Sequence, residues 1–181
     1  MKRFLLLFLL FITTLSISCV ESNPNQRTEA IVEAQTLQYT NNKEIDSTYR
    51  KRKIYVPIYS DIYRGTRAEK TLLTATLSIR NTSERDSLFI NRVDYFNTQG
   101  QLVRQYLNGE IYLDPLETLD YIIEERDTLG GSGANFIIEC YGKKHVSPVF
   151  QAIMIGGLGN RVFAFTANGI EIEEPSPALE D

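Results

Sequence analysis

Leu73, Ala75, Leu77 and Ile79 alternate strictly with Thr74, Thr76, Ser78 and Arg80. A period of two puts the apolar side chains on one face of an extended strand and the polar ones on the other. Such a strand has to bury one face against a second layer of structure. The rest of the central chain repeats the theme in short pieces. Asn81–Asp86 (NTSERD) is a polar turn, and Ser87–Phe96 is a second strand. The apolar parity of that strand changes between Ile90 and Val93, which predicts a bulge or burial on both faces. Asn97-Thr98-Gln99-Gly100 reads as a hairpin turn with Gly100 at positive φ.

Further strands are predicted at Leu102–Leu107, at Glu110–Leu113 before Pro115, and around Leu119, Tyr121 and Ile123. Phe136, Ile138 and Cys140 mark another, and Val149, Gln151, Ile153 and Ile155 an apolar-biased one. Gly156–Asn160 reads as a hairpin loop into Arg161–Thr166. Ile54–Tyr59 is the first element, and Pro57 makes it an edge strand. About nine short strands without helical periodicity predict an all-β fold. The expected form is an antiparallel β-sandwich, immunoglobulin-like with Greek-key connections. The core Trp and inter-sheet disulfide of antibody domains are absent, since the chain has no Trp and two Cys.

Composition narrows the function classes. The 181 residues are 43% hydrophobic and 23% charged, with a net charge of −4. Those are globular values, and the acidity speaks against nucleic acid as a partner. One His and two Cys leave no ligand set for a His- or Cys-rich metal site, and no cofactor is expected.

The first segment is an address. Lys2 and Arg3 precede the apolar run Phe4–Ile12, then small polar residues lead to Cys19. The run is too short for a bilayer span, which takes about 20 apolar residues, and it fits a secretory signal. Ser18 before Cys19 makes it resemble a bacterial lipoprotein signal. The resemblance implies cleavage after residue 18, acylation of Cys19 by palmitate-like chains, and a membrane partner. Val20 stands where an inner-membrane retention signal has Asp, which favours the outer membrane of a diderm cell. Loss of residues 1–18 leaves a net charge of −6. Cys140 then has no disulfide partner and reads as a small core residue.

Residues 19–52 read as a flexible tether, in which Thr28–Leu37 is a candidate short helix. It ends in the basic run Arg50–Lys53, a solvated linker end or a contact for anionic headgroups. Residues 171–181, with five acidic residues and two prolines, read as a disordered acidic tail. All eleven glycines fall between Gly65 and Gly169. They punctuate one domain at residues 53–170.

Five stretches carry a family likeness: IYVPIYSDIY (54–63), LLTATLSIRNT (72–82), VDYFNTQGQLVRQYL (93–107), EERDTLGGSGANFIIE (124–139) and AIMIG (152–156). They resemble, in order, the bacterial envelope proteins grouped as domain of unknown function 3124. The resemblance implies a lipoprotein, in agreement with Cys19. It implies a Trp where this chain has Cys140-Tyr141, and it brings no activity or catalytic residue.

The most conspicuous loop is Glu124-Glu125-Arg126-Asp127 followed by Gly130-Gly131-Ser132-Gly133-Ala134-Asn135. Alternation from Ile123 puts Glu125 on the core side, where it needs partners. The glycines let backbone N–H groups converge on an anion. The competing reading is a sandwich corner in which Arg126 and Asp127 pair with neighbours and glycines allow a tight crossover. Candidate binding residues are Glu125, Arg126, Asp127, Ser132 and Asn135.

Enzymatic patterns fit less well. A phosphate loop needs a Lys and a helix after the glycines, and a hydrolase elbow needs Gly where Ala134 stands. His145 sits in a polar turn. Glu124, Glu125 and Asp127 supply the acids of a carbohydrate hydrolase by type, not by placement. Asp127, Glu125 and loop carbonyls match Ca²⁺ by type without a recognised spacing. Asn81-Thr82-Ser83 is a formal glycosylation sequon. The expectation is a non-enzymatic, lipid-anchored envelope module that binds an envelope protein or glycan. Its alternatives are a carbohydrate hydrolase using Glu124–Asp127, and ligand or metal capture by Gly130–Asn135.

Overall fold

The computed structural model describes residues 37–40 and 45–172. The signal segment, Cys19, most of the tether including the candidate helix, and the tail beyond Ile172 lie outside the described residues. Within them the chain forms twelve strands. They are β1 (Gln38–Tyr39), β2 (Tyr49–Ile58), β3 (Asp61–Arg64), β4 (Thr66–Arg80), β5 (Leu88–Phe96) and β6 (Leu102–Gln105). Next come β7 (Ile111–Leu113), β8 (Thr118–Ile123), β9 (Ala134–Lys143), β10 (Val149–Leu158), β11 (Arg161–Asn168) and β12 (Ile170–Glu171).

One sheet runs β1-β7-β5-β9-β2-β12, with β6 beside β5; the other runs β11-β10-β4-β3, with β8 also beside β4. All pairings are antiparallel. The protein is an all-β sandwich, as the alternation requires. Leu73, Ala75, Leu77 and Ile79 are fully buried and meet Val56, Ile58, Val93, Phe136 and Ile138 of the facing sheet in one core. Each of these side chains other than Ala75 contributes about 1.5–3 kcal/mol of transfer free energy.

The expected bulge is present: the β5–β9 register shifts between Ile90 and Arg92, so Ile90 and Val93 both face the core. The Asn97–Gly100 turn closes as read, with Gly100 at φ 75° and Asn97 Oδ1 accepting from the Gln99 and Gln101 amides at 3.0 and 2.9 Å. Cys140 is a free, buried core thiol.

Three expectations change. Arg50–Lys53 is not a linker end but lies inside β2, paired with Gly142–Glu139 of β9. Arg52 is only 8% exposed and donates to the Val146 carbonyl at 2.7 Å. At the other boundary, Glu171 pairs with Ile54 and the Ile172 amide donates to the Lys53 carbonyl. In β10 the buried side is Phe150, Ala152 and Met154, while Val149 and Ile155 are 41% and 47% exposed. Apolar residues occupy both faces of that strand, so its pattern named the outward one. Pro57 is a partial case. β2 is flanked by the two-residue β12, which reaches only Tyr55, so Pro57 stands past the end of that pairing.

Candidate functional site

The glycine loop enters from β8 and leaves as β9. β8 ends at Ile123, and residues 124–127 form a turn closed by the Asp127 amide on the Glu124 carbonyl at 2.9 Å. Strict alternation stops there, so Glu125 is exposed and not core-facing, as are Glu124 and Arg126. Asp127 is half-buried. Its Oδ2 meets Arg104 Nη2 at 2.9 Å, and its Oδ1 accepts from the Leu129 amide at 3.2 Å. Arg104 Nη1 also donates to the Tyr106 hydroxyl at 2.9 Å, and the Tyr106 ring packs 4.4 Å from that of Tyr121. The pair ties β6 of one sheet to the strand exit of the other. Burial raises the Tyr106 and Tyr121 hydroxyls above their ordinary pKa.

Gly130 is buried, Gly131 is half-buried and Gly133 is exposed. Thr98 receives the loop: its amide and its hydroxyl both donate to the Gly130 carbonyl at 2.9 Å, and its hydroxyl oxygen accepts from the Gly133 amide at 3.0 Å. The Gly131 carbonyl accepts from the Ser60 amide at 3.0 Å. Gly131 has φ 77°, a conformation that favours glycine. Gly130 is needed for space, because a Cβ there would stand 1.8 Å from the Tyr95 hydroxyl oxygen.

Ser132 donates its hydroxyl to Asp61 Oδ1. Asp61 is 4% exposed and also holds Lys70 Nζ, at 3.0 and 3.1 Å from its two oxygens. Ser60 and Tyr95 share a hydrogen bond of 2.8 Å below the loop. Asn135, half-buried, sits in β9 between Pro57 and Phe96.

The five candidate residues thus divide. Asp127 belongs to the Arg104–Tyr106 network, Ser132 to the Asp61–Lys70 network and Asn135 to the β9 ladder, while Glu125 and Arg126 project from the turn. The carbonyls of Gly130 and Gly131 and the amide of Gly133 are already engaged. This arrangement is a latch in which loop polar groups satisfy strand and turn groups. Among the described residues no three His, Cys, Asp or Glu side chains stand close enough to hold a metal ion.

Sequence reasoning missed Asp61, Thr98 and Arg104 as the loop's partners. They lie 71, 35 and 23 residues from the groups they bind, and no local pattern marks that pairing. It also missed Asn81 as a pin. Asn81 is buried, and its amide donates to the Asp86 and Asp114 carbonyls at 2.8 and 2.9 Å, so the sequon's side chain is committed to the fold. His145 is an exposed turn residue with Nε2 3.1 Å from Asp86 Oδ2.

A depression of about 480 Å³ lies away from the loop, over β2 and β9, lined by Lys51, Lys53, Asn91, Glu139 and Glu171 among others. Its charges are largely paired. Arg92 joins Asp94 and Glu139 at 2.6 and 2.8 Å, and Arg50 joins Glu171 at 2.9 Å.

No curated protein matches this chain. Among solved structures it is similar to the crystal structure of Thermotoga maritima 1070, at 17% identity over 66% of this chain and 92% of that one. The TM-score is 0.36, a likeness that bears on neither mechanism nor ligand. The sequence pattern of one family matches residues 51–172, from the third residue of β2 to the residue after β12. The chain belongs to that family, described as protein of unknown function (DUF3124).

Proposed function

We propose that this protein is a non-catalytic lipoprotein of the bacterial cell envelope. Cys19 carries the lipid, and the sandwich acts as a binding or assembly module for an envelope protein or glycan. The observation that carries the reading is the segment Lys2–Cys19: two cations, a short apolar run, small residues and a Cys. One acyl chain binds a membrane reversibly, whereas several on one residue anchor it. The other cysteine, Cys140, is packed in the core. The loop contributes to the reading through its partners. Asp127 neutralises Arg104, and Ser132 is spent on Asp61, so the acid and hydroxyl that resemble chemistry serve the fold. With Val20 after the Cys, the outer membrane is the destination in a diderm cell.

The test is metabolic labelling with a clickable palmitate analogue in cells expressing the full chain or Cys19→Ala. Label on the full chain and none on the variant is the expected result. Equal labelling of both would remove the anchor from the account. A crosslinked pull-down from membranes then reads the binding role, with recovery of one specific envelope component expected.

A further inference from the structure

β11 is the outer strand of the five-stranded sheet. It pairs with β10 from Arg161 opposite Leu158 to Asn168 opposite Gln151, without a shift of register. Its other edge meets no strand among the described residues. A regular strand so placed presents a row of N–H and C=O groups ready for another strand. From Val162 to Asn168 the sequence is VFAFTAN, with no charge, proline or glycine. Val162 is 78% exposed.

The other edges are blunted. β1 and β12 are two residues long. β3 and β6 are four residues long, and each pairing contains a register shift. β8 has six residues and carries Asp120 in its middle. Short length, bulges and charges are the devices by which sheets resist strand addition. β11 has none of them between Val162 and Asn168.

We propose that β11 is an interface at which two copies of this chain join edge to edge and antiparallel, merging two five-stranded sheets into one of ten. Phe163, Phe165 and Ala167 pack against the core, and Val162, Ala164 and Thr166 face outward. A two-fold axis normal to the sheet keeps each set on its own side, so the axis passes through Ala164 or through Phe165.

In the first register Val162 faces Thr166 of the second copy and Phe163 faces Phe165. In the second Ala164 faces Thr166 and Phe163 faces Ala167. Arg161, the one charge in the strand, meets Ala167 or Gly169 and never its own counterpart. Like charges opposite each other destabilise strand pairs, and none arise in either register. On the outward side Ile155 and Ile153 stand beside Ala164 and Thr166, which gives the joint an apolar flank. A charged partner peptide would find no counter-charge between Val162 and Asn168. A second copy, equally uncharged there, fits.

The test uses the full chain carrying Cys19→Ser, so that acylation has no part in the outcome. Ala164→Cys traps the first register as a disulfide, and Ala164→Cys with Thr166→Cys traps the second. The expected result is a reducible dimer from both variants if the axis passes through Ala164 and from the double variant alone if it passes through Phe165, together with a dimeric mass by sedimentation for the chain without the trap. Val162→Lys with Thr166→Lys should abolish the first trap, Val162→Lys with Asn168→Lys should abolish the second, and either pair should halve the mass of the untrapped chain. These sites are exposed, so far-ultraviolet circular dichroism should stay unchanged, while Tm loses its dependence on protein concentration. A monomeric mass with no trapped dimer would overturn the proposal. So would a lysine variant that remains dimeric, or traps that join the chain only to a different protein.

Discussion

Gly130 lies directly against the Tyr95 hydroxyl, so close that a Cβ on residue 130 would stand 1.8 Å from the hydroxyl oxygen and 2.6 Å from Ser60 Oγ. Tyr95 is fully buried and hydrogen-bonded to Ser60, so it has little room to yield. The glycine makes room for a tyrosine that joins the core to the loop.

Gly130→Ala should therefore destabilise the domain by about 1–3 kcal/mol, the usual range for overpacking. Tyr95→Phe removes the closest atom and should recover part of that loss in the double variant. Urea denaturation of the four chains of the cycle measures it. Additive effects would show that the two residues do not interact.

Asp61→Ala leaves Lys70 and the Ser132 hydroxyl without their buried acceptor. A loss of about 1.5–3 kcal/mol is expected, the usual contribution of hydrogen bonds to a charged group, because the exposed Lys70 ammonium returns to water and only the Ser132 hydroxyl is left partly buried. Ser132→Ala should cost less than Asp61→Ala, because it removes one donor and leaves the Lys70 contact. Equal costs for the two would contradict the latch. Denaturation midpoints at fixed pH separate the cases.

The Arg104–Asp127 pair is partly exposed, with the carboxylate much the better covered. Its coupling energy should be about 0.5–1 kcal/mol, as for exposed pairs of good geometry, and should fall in high salt. A double-mutant cycle with Arg104→Ala and Asp127→Ala, run at low and high ionic strength, reads both numbers. A coupling insensitive to salt would place the pair in a drier setting than the structure does.

Alkaline pH should weaken the fold over a defined window. Burial pushes the Cys140 thiol from 9.0 up to about 12, and burial also raises Tyr95, Tyr106, Tyr121 and Tyr141 above 10.0. These groups release protons more readily when unfolded, so their contribution is complete below the unfolded pKa and declines as pH rises through the folded one. Stability should be flat with respect to them up to about pH 9 and fall above it, with Cys140 first. Cys140→Ala should delay the onset of the fall toward the tyrosine range. Tm measured from pH 7 to 11 checks this, and an unchanged profile in the variant would contradict the assignment.

The fold was largely legible in the sequence because period-two burial is a local signal. Leu73–Ile79 announced its face, Asn97–Gly100 its turn, and the parity change after Ile90 its bulge. Val149–Leu158 was harder, since Ile153 and Ile155 are as apolar as Phe150 and Met154 and only packing decides which side is inside. The basic run misled for a related reason. Arg50–Lys53 looks solvated by composition, yet β9 supplies a ladder for it and the Val146 carbonyl a partner for Arg52. In the loop, glycines announced a tight corner but not what they approach. Tyr95, Thr98 and Asp61 come from other strands and turns, and contacts across such separations leave no mark in a single sequence.

The proposed envelope address rests on Cys19 being the lipidated first residue of the mature chain. Mass spectrometry of the N-terminal peptide from membrane-isolated protein tests it most directly. The expected peptide begins at Cys19, ends at Arg27 after trypsin, and carries a diacylglyceryl group on the sulfur. A peptide retaining residues before Cys19, or one with an unmodified Cys19 thiol, would contradict the account.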